Sequence, residues 1–335
     1  MSTVRTQDGR TARGAGAGPD PAAVRPGEVA DATAAGRRRG AGLALGLLSA
    51  MTFGTSGTFA SSLIGAGWSP AGAVVARAAV AALALTIPAL VRLRGRWHLL
   101  RRWSGKTIAY GVIGVAACQL GYFNAIERMP VGVALLLEYM GVVLVVLWLW
   151  ARHGQRPRPL TIVGGVGALG GLALMLNLSG PGGISLVGVA WALLAAVSMA
   201  VYFFLSASAD GEPLPPVVMT WGGMIVGALA LVASGATGMV RLAASTQDVT
   251  LFGHQVSWLV SVLGLSLIAA AVAYTAGIGA ARRLGAKLGS FVAMAEILFA
   301  VLFAWVLLGQ TPTGMQFLGG ALILCGVTLV RLDEP

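Results

Sequence analysis

Three ionisable side chains lie inside stretches apolar enough to span a bilayer: Arg77, Glu138 and Glu296. An unpaired charge at mid-membrane costs at least ~2–3 kcal/mol, so such residues face a cavity or a partner. A carboxylate placed there can bind the amine of a substrate or carry a coupled proton. The competing use is structural, an ion pair with Arg77. Glu138 is eight residues from Pro130, which at 1.5 Å per residue puts it ~12 Å deep. Glu296 is nine residues from Lys287, hence ~13 Å deep. If their helices enter from opposite faces, both reach the middle of a ~30 Å hydrocarbon core.

Other polar and aromatic groups sit on neighbouring apolar segments: Gln119, Tyr122 and Asn124 on a third span, Tyr139 beside Glu138, Tyr202 on a sixth and Tyr274 on an eighth. Ser56 lies among Thr52, Thr55 and Thr58 on the first. Gln119 and Tyr202 are deep enough to line a cavity or to bond between helices. Tyr122, Asn124 and Tyr274 are near span ends, where an interfacial belt is the simpler reading. Trp148 and Trp150 read as interfacial for the same reason.

The elements that carry these residues follow from composition. Of 335 residues 57% are hydrophobic and 10% charged, against about 25% charged in a soluble domain. The chain is therefore expected to be an all-α polytopic membrane protein. Ten segments have the ~20-residue length a span needs: about 41–64, 70–91, 107–126, 131–151, 160–177, 184–206, 217–236, 257–280, 288–308 and 313–331. Residues 1–40 hold seven arginines and no apolar run, and read as a disordered cytoplasmic tail. Residues 332–335 are a short tail. With the N-terminus inside, 20 of the 23 basic residues fall in inner loops, as the positive-inside rule requires. The formal charge of +11 is thus a topology signal and not one for nucleic acid.

The chain also repeats itself at an offset of 155 residues. Trp150 falls on Trp305, Gly154-Gln155 on Gly309-Gln310, Pro157 on Pro312, Gly171 on Gly326 and Arg128 on Arg283. Five spans per half is an odd number, so the halves (41–178 and 179–331) must enter the membrane inverted, an arrangement common in secondary transporters. Glu138 pairs with Ala293 under the offset, and Gly141 with Glu296. The scaffold repeats; the acids do not.

Met129-Pro-Val-Gly-Val-Ala-Leu-Leu-Leu-Glu138-Tyr-Met-Gly141 resembles the fourth span of EamA-type drug/metabolite transporters, closest to the threonine/homoserine exporter branch. Ala293-Met-Ala-Glu296 with Leu307-Leu-Gly-Gln310 resembles that family's ninth span and the turn after it. Arg77 matches an arginine usual in its second span. Val142 and Ile297 stand where the family usually has proline, and Gln310 where it often has glutamate. The resemblance implies ten helices in two inverted five-helix repeats, a central cavity, and export of small metabolites, often amino acids.

Other motifs lead nowhere. Gly165-x-Gly-x-x-Gly170 has dinucleotide-loop spacing but lies in an apolar span, without the strand such a loop follows. Gly167-x-x-x-Gly171 reads as a close helix contact. Cys118 and Cys325 read as buried small residues. The three histidines are in separate loops, and no zinc spacing, nucleophile elbow or phosphate loop occurs. The expectation is a non-enzymatic secondary active exporter of small amino acids or related polar metabolites, at home in the lipid bilayer, with a coupled proton, no metal and no cofactor. A drug, nucleoside or sugar exporter is the nearer alternative; a membrane sensor or lipid enzyme is the more distant one.

Overall fold

In a computed structural model of the chain, residues 26–128, 131–153, 158–175, 185–207, 212–251, 253–308 and 314–332 are described. The repeat partners Gly154, Gln155, Pro157, Gly309, Gln310 and Pro312 lie outside them, as do residues 1–25 and 333–335. The chain divides into two units between Arg38 and Arg39, and the second contains the apolar helices.

The chain is almost entirely helical. The helices are α1 (Pro26–Gly54), α2 (Ser56–Gly65), α3 (Pro70–Leu93), α4 (Trp97–Arg102), α5 (Ser104–Ala109), α6 (Cys118–Ile126), α7 (Val131–His153), α8 (Pro159–Met175), α9 (Leu186–Ala207), α10 (Pro216–Ala236), α11 (Trp258–Leu263), α12 (Ala273–Ala293), α13 (Ala295–Leu308) and α14 (Gly314–Leu332). Two π-helical segments, Tyr110–Ala117 and Gly264–Val272, join α5 to α6 and α11 to α12. Among the described residues, six helical stretches are long and apolar enough to cross a membrane: Gly36–Gly65, Pro70–Leu93, Ser104–Ile126, Leu186–Ala207, Pro216–Ala236 and Trp258–Ala293. Leu83, Ile87 and Val91 recur one turn apart on α3 and are 74%, 75% and 62% exposed. An apolar stripe of that kind can be solvated only by lipid.

Local chemistry sets the helix ends. Ser69 caps α3 by accepting the Gly72 amide at 3.0 Å, with Pro70 in the first turn. Four departures from expectation have physical causes. α1 starts at Pro26 and not at residue 41, because the intervening alanines and arginines are good helix formers. The all-α expectation misses a hairpin in which Val249–Leu251 pairs with His254–Val256 across Gly253, built from β-favouring residues in a long connection. The corner expected at 281–287 shrinks to Gly285, whose φ of 78° only glycine adopts freely. Leu332 belongs to α14 and not to a tail.

Inside, helices pack through small residues: α3 lies along α10, α7 along α9, and α8 along α14. The glycine contact expected at Gly167 is displaced. Gly167 faces open space, while a Cβ on Gly326 would stand 2.4 Å from the Gly164 carbonyl and 2.8 Å from Ala168. Cys118 is buried as expected, but Cys325 is exposed on the helix exterior.

Replacing Gly326 with alanine should lower thermal stability in detergent by about 1–3 kcal/mol through overpacking. Gly167→Ala should leave the melting temperature unchanged or raise it, since alanine favours the helix and meets nothing.

Candidate functional site

A cavity of ≈ 70 Å³ opens between α1, α6, α7, α9, α12 and α13. A water needs roughly 10–15 Å³ of such space, so several waters or a small solute fit. Its walls are mostly apolar and aromatic, with a few convergent polar groups, the usual character of a small-molecule site.

Arg77, on α3 and 1% exposed, stands behind the part of the wall formed by Phe53, Ser56, Gln119 and Tyr274. It donates to Ser56 Oγ at 3.0 Å, to Gln119 Oε1 and to the Ala269 carbonyl inside the second π segment. Its guanidinium carbon lies 5.8 Å from the Phe53 ring centre and 5.7 Å from that of Tyr274, within cation–π range. The competing structural use, an ion pair of Arg77 with a glutamate, does not form. Among the described residues the ion pairs are Arg96–Glu212 and Arg128–Glu127, both away from the cavity. Neutral oxygens from three helical segments and two ring faces surround the guanidinium, engaging its terminal nitrogens and leaving Nε without a partner among the described residues.

Glu138 and Glu296 both line the cavity. Glu138, 8% exposed on α7, receives a weak bond from Cys118 Sγ at 3.5 Å. Glu296 sits in the first turn of α13, where the helix dipole favours an acid. Tyr139 Oη is 2.9 Å from Glu296 Oε2 and 2.8 Å from the Ala293 carbonyl.

The remaining expected residues divide. Gln119 donates from Nε2 to Tyr274 Oη at 3.0 Å. The two are 155 residues apart, so equivalent positions of the repeat touch. They follow the ends of the two π segments by two residues each, and those segments themselves start 154 and end 155 residues apart. A π turn holds an extra residue and re-aims the side chains beyond it; here it turns Gln119 and Tyr274 toward each other. Tyr122 and Tyr274 are 6% and 2% exposed and line the cavity, which corrects the interfacial reading of both. Tyr202 lines it too, its ring 5.7 Å from Tyr274 and 5.7 Å from Tyr110. Asn124 does not reach it: its side chain bonds the Leu120 carbonyl at 2.8 Å and accepts from Arg128 at 3.2 Å. Trp148 and Trp150 are about half exposed on the exterior.

Sequence reading missed Phe53 and Met199, and the part of Cys118, as cavity walls. Cys118 precedes Tyr122 by four residues, a spacing that puts both on one helix face. Phe53 and Met199 carry no mark that distinguishes them from other apolar residues.

Apolar helices gathered around a cavity with convergent polar groups define a multi-pass membrane transport protein. The chain belongs to the EamA-like transporter family, whose profile matches it twice, over residues 40–177 and 186–332. It is similar to an uncharacterized inner membrane transporter, YicL, of Salmonella typhimurium: 24% identical over 233 residues, covering 68% of this chain and 73% of the relative. A solved crystal structure, described only as that of a protein, superposes with a TM-score of 0.67 over 87% of this chain and 97% of its own. At 21% identity that likeness speaks for the fold alone.

Arg77→Met should destabilise the protein more than Glu138→Gln does. It strands three buried acceptors at about 1–3 kcal/mol each, whereas glutamine nearly preserves the shape of Glu138. Thermal unfolding of both variants in detergent checks the order.

Proposed function

We propose that the protein is a secondary active exporter of small amino acids or related polar metabolites, working by alternating access, with proton coupling through Glu138 or Glu296. The single observation that carries this reading is the cavity onto which a carboxylate from each half of the chain opens, with the guanidinium of Arg77 buried just behind the wall that Ser56 and Gln119 form. A zwitterion needs both signs of charge within one small volume, and the ≈ 70 Å³ present suits a small solute. The resemblance to the threonine/homoserine exporter branch points the same way.

On this reading the chain crosses the membrane ten times, as two inverted five-helix repeats, with both termini cytoplasmic. The twofold family match, the paired π segments and the Gln119–Tyr274 contact support it, as does the distribution of basic residues. The halves rock about the level where those two residues meet, and no ATP-driven part is required.

A second reading, export of a flat drug, nucleoside or sugar, is favoured by one feature. Phe53, Tyr110, Tyr202 and Tyr274 form an aromatic cluster with ring centres 4.8–6.3 Å apart, and such faces stack on planar or sugar rings.

The test is purified protein in liposomes, with imposed pH gradients and a panel of amino acids, nucleosides and sugars. Amino-acid flux that follows the gradient is expected, with coupling lost in Glu138→Gln or Glu296→Gln. Full coupling in both variants would sink the proton assignment, and flux of nucleosides alone would establish the second reading.

A further inference from the structure

Tyr139 makes two contacts that its single proton cannot serve at once. Its oxygen is 2.8 Å from the Ala293 carbonyl and 2.9 Å from Glu296 Oε2. A phenol has one O–H to donate and lone pairs to accept with. A carbonyl only accepts, so the bond to Ala293 must use the Tyr139 proton. The contact with Glu296 is then a hydrogen bond only if the carboxyl supplies a proton of its own. The arrangement that serves both distances is a chain: Glu296 O–H to Tyr139 oxygen, Tyr139 O–H to Ala293 carbonyl.

The Ala293 carbonyl is available because the helix is interrupted there. α12 ends at Ala293 and α13 begins at Ala295. The Ile297 amide, which an unbroken α-helix would direct to Ala293, bonds Met294 three residues back at 3.2 Å. The Met294 amide likewise bonds Phe291 at 3.1 Å. Tyr139 therefore holds the joint open by satisfying the carbonyl that the helix gives up.

We infer that Tyr139 reads the protonation of Glu296 and passes it to the α12–α13 joint. When Glu296 releases its proton to water in the cavity, the carboxylate becomes an acceptor only. The Tyr139 O–H turns to it, since charged acceptors form the stronger bond. Ala293 then loses its donor, and its part-buried carbonyl takes another. The Ile297 amide is the donor at helical spacing; by taking the carbonyl it closes the joint and runs α12 into α13. Reprotonation reverses the sequence. The other titratable groups near Glu296 are Glu138 on α7, Arg77 on α3, Cys118 and Tyr122 on α6 and Tyr202 on α9; the side chain that donates to the Ala293 carbonyl is that of Tyr139. The inference rests on reading Glu296 as a proton-carrying residue of the transport site.

Hydrogen exchange of the full chain in lipid nanodiscs, normalised to intrinsic rates, tests this at the Ile297 amide between roughly pH 5 and pH 9. In the wild type, protection should rise about five- to tenfold as pH increases and the joint closes. Tyr139→Phe, which keeps the ring, should show high protection at every pH. Glu296→Gln carries a permanent donor and should stay low throughout. Ile297→Pro removes the closing amide, so the neighbouring amides of Met294 and Leu298 should lose their pH response even if Tyr139→Phe does not fold. A pH-independent wild type, or a pH response unchanged in Tyr139→Phe or in Ile297→Pro, overturns the inference. So does loss of the response in Glu138→Gln, which would make the other acid the sensor. Loss of coupled flux in Glu296→Gln alongside an indifferent joint removes this inference alone; retained coupling in that variant removes Glu296 as the proton carrier, and this inference with it, and leaves Glu138 as the coupling residue of the functional reading.

Discussion

The guanidinium of Arg77 is the constraint on which the rest of the site depends. It is a permanent charge held 1% exposed in an apolar interior, and such a group needs hydrogen-bond partners there. Three segments engage its terminal nitrogens: Ser56 from α2, Gln119 from α6 and the Ala269 carbonyl from a π segment, while its Nε has no partner among the described residues. Because the partners are neutral, neither glutamate is consumed in holding the arginine. Both carboxyls remain on the cavity wall. A salt bridge would have tied the acids to the scaffold, and neutral ligation leaves them able to respond to a solute or to pH.

The scaffold and the site differ in symmetry. The π segments and the Gln119–Tyr274 contact repeat at an interval of 154–155 residues, and the family profile matches each half once. Glu138 and Glu296 do not: each faces the cavity from a position whose counterpart is Ala293 or Gly141. Gly141 is itself constrained, since a Cβ there would stand 2.4 Å from the Ala196 carbonyl. No side chain, acid or otherwise, can replace that glycine without moving α7 away from α9. Packing therefore explains why the second acid of the site has no partner at the equivalent position.

The sequence showed the acids because a charge in an apolar run is visible in one dimension. It showed the 155-residue spacing because matched tryptophans, glycines and prolines are visible the same way. The neutral partners of Arg77 were not legible: the partner weighed from sequence was a glutamate, and only three-dimensional proximity reveals that serine, glutamine and a carbonyl arrive first. The π segments read as plain apolar helix, since Tyr110–Ala117 and Gly264–Val272 contain no residue that announces an extra member per turn. The joint at Met294 is equally silent, having neither proline nor glycine. Tyr274 was assigned to an interface because the span containing it was expected to end near residue 280, whereas helical geometry runs on to Leu284 and turns at Gly285.

The long connection from Thr237 to Ser257 is pinned near its start. Ser69 donates its amide to the Ala243 carbonyl at 3.0 Å, and the Ala243 amide donates back to Ser69 Oγ at 2.8 Å. Further along, Trp68 packs against Trp258, ring centres 5.8 Å apart, and the hairpin stiffens the stretch between. A loop of this length free at all but its ends would sample a large set of shapes, and its closure entropy would have to be overcome whenever the helices moved. Divided by the clamp and the hairpin, it becomes short arcs with few conformations left to lose. The ordering cost falls on folding, once, and the clamp at Ser69 keeps the connection fixed to the start of α3.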